Sequence, residues 1–252
     1  MSTYCIINIM EIIPGRQQYI NFPFYKIDPV WRRLPASERT QGKKEFRSVV
    51  EHFQKKNILL AYSVMGLRPD CDFFLWRISY ELEDFEAMSA QLMNTGLGKY
   101  LTTPYSYLSM TRRSIYVDEH QKEDPAGEGS RLQVVPGQGK YAFVYPFIKS
   151  RAWYALDKAK RQESMNEHIR TGHKYQSVRI NTTYSYGLDD QEFVLAFESS
   201  EPKDFLDLMM ELRETSASGY TIKDTPTFTG IRRPLGDILD LLDKQPTSSV
   251  VK

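Results

Sequence analysis

Residues 63–88 read SVMGLRPDCDFFLWRISYELEDFEAM, and residues 183–209 read TYSYGLDDQEFVLAFESSEPKDFLDLM. Each runs through a strand, a Gly-Leu pair, an acidic turn, an aromatic strand and an acidic helix start. The turn chemistry is the same in both: a glycine supplies backbone freedom and aspartates favour chain reversal. A repeat at this scale decides the architecture before any single motif does.

Working outward from the two copies, runs rich in β-branched and aromatic residues predict strands over residues 4–13, 58–67, 72–80 and 105–116. Helical spacing predicts helices over 35–56, where Phe46, Val49, Val50 and Phe53 recur, and over 83–101, with Phe85, Met88 and Leu92. The second half repeats the order. A strand is predicted over 140–147, one long helix over 152–175 and a strand pair over 179–186 and 192–199. A helix over 202–214, a strand over 225–231 and a short helix over 235–242 follow. Twice the order is βαββαβ, the ferredoxin-like unit. The predicted class is therefore α+β, with two fused ferredoxin-like halves and packed antiparallel sheets, of the dimeric α/β barrel type. The halves are residues 1–117 and 140–252, joined by a polar linker, 118–139, rich in Gly and charge.

The chain has 252 residues, 41% hydrophobic and 26% charged, enough apolar material for a buried core. Its 33 Lys and Arg against 32 Asp and Glu leave a net charge of +1, so no basic field exists to attract nucleic acid or an anionic membrane. No run approaches the roughly 18 apolar residues that span a bilayer. The start of the chain lacks the positive segment and apolar run of a signal peptide. Cys5 and Cys71 show no metal spacing and read as free thiols of a reducing compartment. These features predict a soluble, cytoplasmic protein.

No GxGxxG, P-loop, HExxH or GxSxG motif is present, which leaves nucleotide, zinc-protease and serine-hydrolase chemistry without support. The histidines are His52, His120, His168 and His173. His52 lies on a charged helix and His120 in the linker, both as solvated groups. His168 and His173 fall at the end of the long predicted helix, where the negative end of the dipole alone favours imidazole. No Cys or carboxylate pattern accompanies them, so a metal needing several protein ligands is not indicated. Haem needs only one axial nitrogen and an apolar slot. Residues 141–156, YAFVYPFIKSRAWYAL, place Tyr141, Phe143, Tyr145 and Phe147 on one strand face. Core aromatics beside a helix start explain most of this run, but an ammonium there, Lys149, suits an anion anchor.

The run Tyr145-Pro146-Phe147-Ile148-Lys149-Ser150, then Trp153-Tyr154, Glu167-His168, Gly172, Lys174-Tyr175, the Tyr186–Asp190 turn and finally Thr227–Gly230 resembles the chlorite dismutase / coproheme decarboxylase family. The match runs through nearly all of the second half, whereas the first half is similar in pattern more than in motif. The resemblance implies that His168 is the proximal ligand of an iron porphyrin, haem b or coproheme, with His173 ranked second. It implies that Tyr145 carries a catalytic radical and that Lys149, with Ser218 from the late loop, holds a propionate. It puts Trp153 against the proximal side. Chlorite dismutases have an arginine on the strand before the Tyr186-Gly187 pair, and the matching residue here is Ile180. An apolar residue there leaves chlorite without a cationic partner, so the resemblance favours hydrogen peroxide-dependent decarboxylation of coproheme to haem b. A haem b peroxidase and a non-enzymatic haem carrier or sensor remain open beside it. Assembly as a homopentamer is likewise implied by the family alone.

Overall fold

The computed structural model describes residues 13, 15–116 and 132–243. Cys5, His120, most of the expected first strand and most of the linker lie outside these residues. The chain forms two compact units, residues 1–107 with 230–252 and residues 108–229. Among the described residues no helix is long and apolar enough to cross a membrane.

The first unit contains β1 (Tyr19–Ile27), α1 (Ala36–Phe53), β2 (Ile58–Ser63), β3 (Phe73–Ser79), α2 (Glu83–Met93) and the start of β4 (Leu101–Met110). β3 pairs antiparallel with both β1 and β2, and β4 lies beside β1. The strand order β4-β1-β3-β2 is that of the ferredoxin-like unit. β1 is not among the predicted strands; Pro23 interrupts its sequence, YINFPFYKI, and proline weakens a strand assignment. Its residues are nevertheless almost all buried, because β1 lies between β3 and β4. α1 and α2 lay Phe46, Val50, Phe53, Met88 and Leu92 onto Phe73 and Leu75 of the sheet. β4 begins earlier than predicted. Pro104 reads as a break, yet it sits in an exposed part of the strand that tolerates a missing donor.

The second unit contains β5 (Tyr141–Lys149), α3 (Arg151–Ala155), α4 (Lys158–His173), β6 (Arg179–Tyr184), β7 (Phe193–Ser199), α5 (Pro202–Glu214), the short β8 (Thr221–Lys223) and the start of β9 (Phe228–Arg232). β7 pairs antiparallel with β5 and with β6. The single helix expected over 152–175 is two. Ser150 caps α3 by accepting from the Trp153 amide, and Asp157 starts α4 by accepting from the Lys160 amide at 2.8 Å. A second N-cap, Asp157, inside an apparently continuous pattern is what divides it.

The closing helix α6 (Leu235–Leu241) belongs to the first unit, not to the half in which the sequence puts it. Ile238, Leu239 and Leu242 are buried against the α1 core. Lys43, itself buried on α1, donates to Asp240 at 2.9 Å and Asp243 at 2.8 Å. The repeat is visible in the backbone: Gly66 and Gly187, the glycines of the two Gly-Leu turns, both adopt the left-handed region, at φ 76° and 74°.

Candidate functional site

Strand alternation puts Phe143, Tyr145, Phe147 and Lys149 on one face of β5. Register extends that face through Phe197, Leu195 and Phe193 of β7, and through Ile180, Thr182 and Tyr184 of β6. α5 covers one part of it: Phe205 stacks on Phe143 with centroids 3.9 Å apart, and Leu208 and Leu212 pack beside them. Toward β6 the cover thins. Phe147, Phe193, Leu195 and Tyr184 are half-buried, and Ile180 is 43% exposed. α4 passes over this part closely enough that a Cβ on Gly172 would stand 3.7 Å from Ile180 Cδ1. Arg179 and Asn181 pair with Glu198 and Ala196 and therefore point to the opposite face. β6 thus presents Ile180, Thr182 and Tyr184 to this face, and no cation of the strand shares it.

His168 comes from α4. Its Nδ1 is buried and has no hydrogen-bond partner. Burial, reinforced by the nearby Lys149 charge and opposed by Glu167, pulls the imidazole pKa down to about 4. The ring is thus uncharged at neutral pH, which a metal-ligating nitrogen requires. Glu167 does not turn toward it. The Glu167 carboxylate accepts from the Ser216 amide at 2.9 Å and the Ser216 hydroxyl at 2.6 Å. That contact ties α4 to the 3-10 turn Ser216–Tyr220. A buried imidazole nitrogen with no protein partner, next to a partly uncovered aromatic sheet face, fits an iron porphyrin.

Lys149 is placed differently from an open anion anchor. It is buried, and its ammonium donates to the Ala217 carbonyl at 2.5 Å and to Thr221 Oγ1 at 3.4 Å. It lies about 5 Å from the ring centroids of Phe147 and Trp153. Burial, partly offset by Glu192, lowers its pKa to about 8. Ser218 sits half-buried in the turn that Lys149 holds. Trp153, buried, packs between this ammonium and Tyr220, with ring centroids 5.5 Å apart. Tyr145 lies deeper, under α5. Its hydroxyl reaches only Met209 Sδ, at 3.6 Å, and its ring stacks on Phe197 at 5.9 Å. Burial raises the phenol pKa, so Tyr145 stays protonated.

The structure therefore gathers His168, Lys149, Trp153 and Ser218 around the turn Ser216–Tyr220, with Ile180 under α4 and Tyr145 in the adjoining core. His173 is exposed at the end of α4, and His52 is exposed on α1. The sequence reading missed a hydrogen-bonded group beside these residues, formed by Tyr154, Tyr186 and Glu192. A glutamate between the GLDD turn and a strand was the available signal.

The chlorite dismutase family model matches residues 39–233. A coproheme decarboxylase of Mycolicibacterium smegmatis is 34% identical over 172 residues, 68% of this chain and 71% of that protein. A chlorite dismutase of Ideonella dechloratans is 25% identical over 234 residues, 92% of this chain and 82% of that protein. A solved variant of the chlorite dismutase from Candidatus Nitrospira defluvii superposes with a TM-score of 0.82 at 27% identity, covering 90% of this chain and 96% of that one. Fold and sequence agree: this chain belongs to the chlorite dismutase family.

Proposed function

We propose that this chain is an enzyme that binds coproheme through His168 and uses hydrogen peroxide to decarboxylate it oxidatively to haem b. The observation that carries the reading is the uncharged, partnerless nitrogen of His168 beside a partly open aromatic face. Among the described residues no three His, Cys, Asp or Glu side chains group as a metal site, and a porphyrin iron needs only one axial nitrogen from the protein. The 34% identical relative named coproheme decarboxylase supports this choice of chemistry. When bound, the iron porphyrin supplies, with peroxide, the oxidising power of the reaction.

The chain's own residues do the rest. Two of the four propionates each lose carbon dioxide, two electrons and a proton to become a vinyl group, and one peroxide per propionate takes up the electrons. Tyr145 is the catalytic residue. Its phenol, kept protonated by burial, yields its hydrogen and then takes one from the propionate side chain. Met209, half-buried and unbranched, is the side chain that gives way for the hydroxyl to reach it. Lys149 acts by fixing the turn that carries Ser218, and Ser218 offers its hydroxyl to a carboxylate. Trp153 excludes water from that end. Ile180 gives chlorite no cation, so chlorite dismutation is not the activity we assign. We further propose a homopentamer in the cytoplasm, as the resemblance implies.

The test mixes the chain with coproheme and peroxide and follows vinyl products by mass spectrometry. Wild type forms haem b. Tyr145→Phe binds coproheme with about the same affinity, loses no more than about 1 kcal/mol of stability, and forms none. An inactive wild type that retains haem b would indicate a peroxidase or carrier. Full activity in Tyr145→Phe removes Tyr145 from the mechanism, and rapid oxygen release from chlorite overturns the role given to Ile180.

A further inference from the structure

We propose that Tyr154, together with Tyr186 and Glu192, is a second oxidisable site, where a one-electron oxidant takes an electron from the Tyr154 phenol while its proton passes to Glu192. Tyr154 Oη donates to Glu192 Oε2 at 2.6 Å. The Tyr154 and Tyr186 hydroxyls stand 2.5 Å apart. A phenol has one hydrogen to give, and that of Tyr154 is committed to the carboxylate, so Tyr186 donates to Tyr154. The step balances: the oxidant gains one electron, the Tyr154 O–H bond breaks, Glu192 becomes a carboxylic acid, and a neutral tyrosyl radical remains with the Tyr186 hydrogen bond on its oxygen.

Two other tyrosines of the described residues donate to a carboxylate, and the comparison singles out Tyr154. Tyr105 donates to Asp70 at 2.7 Å, but Arg68 grips the same carboxylate and holds its pKa to about 2, which makes it a poor base. Tyr175 donates to Glu211 at 2.5 Å, and Lys174 lies on that carboxylate at 2.6 Å. Among the described residues no Lys or Arg forms an ion pair with Glu192, whose carboxylate accepts its other hydrogen bond from the Lys149 backbone amide at 2.8 Å. Lys149 acts on this carboxylate only at longer range, and a base that no cation grips directly, within hydrogen-bond reach of the proton, is the better acceptor. Tyr145 has only a thioether. Tyr186 is 47% exposed and opens the site to solvent. Toward the sheet face its ring lies 5.1 Å from Phe193, which lies 6.1 Å from Phe147. An oxidising equivalent leaving that face thus has an aromatic route to a proton-accepting end point.

The inference does not depend on what the neighbouring face binds, and its test uses the full chain without added porphyrin. Hexachloroiridate(IV) serves as the one-electron oxidant, and rapid-freeze electron paramagnetic resonance reads the tyrosyl signal. Tyr154→Phe is expected to lose at least half of that signal. Glu192→Gln keeps a hydrogen-bond acceptor but removes the base, and slows radical formation by at least about tenfold. Deuterium oxide slows the wild type and not Tyr154→Phe. A signal unchanged in yield and rate in Tyr154→Phe overturns the proposal, as does one lost to the same extent in Tyr145→Phe. Should Tyr154→Phe fail to fold, the Glu192→Gln rate decides: no slowing there overturns it equally.

Discussion

His168 and His173 share the last turns of α4, and exposure separates them. His173 meets solvent, whereas His168 is held uncharged down to about pH 4 with a buried nitrogen that no protein group satisfies. Two outcomes follow from that difference. On porphyrin titration, His168→Ala should abolish the Soret shift and His173→Ala should leave it nearly intact; the reverse would move the ligand to His173. In the porphyrin-free chain, the folded pKa of His168 lies below the value of about 6.5 expected when unfolded. Between pH 6.5 and 4 the unfolded chain therefore binds more protons, and stability falls as pH drops through that window. His168→Ala should flatten this part of a melting temperature against pH curve relative to wild type, and an unchanged slope would show that the ring is not buried as described. In the sequence, the family resemblance singled out His168 and strand alternation put Tyr145 on one face with Phe143 and Phe147; that Ile180 shares this face follows only from the β5–β7–β6 register. The inward turn of Lys149 was not legible, because it depends on Ala217 and Thr221, brought back to β5 by a turn that follows α5.

The Gly-Leu turns are the elements in which the repeat can be tested directly. Gly187 has a left-handed backbone with no atom near its missing Cβ, so substitution meets conformational strain and no clash. Gly187→Ala should cost about 1–2 kcal/mol. Gly219, equally open but without a left-handed φ, is the control, and Gly219→Ala should be neutral or stabilising by up to about 1 kcal/mol. Denaturant midpoints measure both, and equal effects would mean that the turn does not demand glycine. Periodic patterns located most other elements; α5 matches its predicted range of 202–214 in full. Failures came where a local signal outweighed burial. Pro23 hid β1, Pro104 displaced the start of β4, and Asp157 divided a helix that hydrophobic spacing alone reads as continuous. β8, three half-buried or exposed residues paired to the end of β5, carries too little pattern to be read at all.

At the scale of the whole chain, the repeat predicts two halves in sequence order, and the structure reassigns the end of the second. α6 is the last described helix, yet its apolar side chains complete the first unit. Ile238 and Leu239 are buried among Phe46, Val50 and Leu59, and Lys43 pairs with Asp240 and Asp243. Sequence order could not show this, because a short amphipathic helix after the last strand of a repeat extends that repeat equally well on pattern alone. The physical consequence is specific. Ile238 has no exposed surface, so Ile238→Ala leaves a cavity and should cost about 2–5 kcal/mol. Amide hydrogen exchange locates the loss. Protection should fall first in α1 and β2, far away in sequence, while β5 and β7 keep theirs under mildly destabilising conditions. Porphyrin affinity, which our reading assigns to residues of the second unit, should change little at temperatures where both units remain folded. Loss of protection in β5 and β7 ahead of α1 and β2 would show instead that α6 supports the half to which its sequence position points.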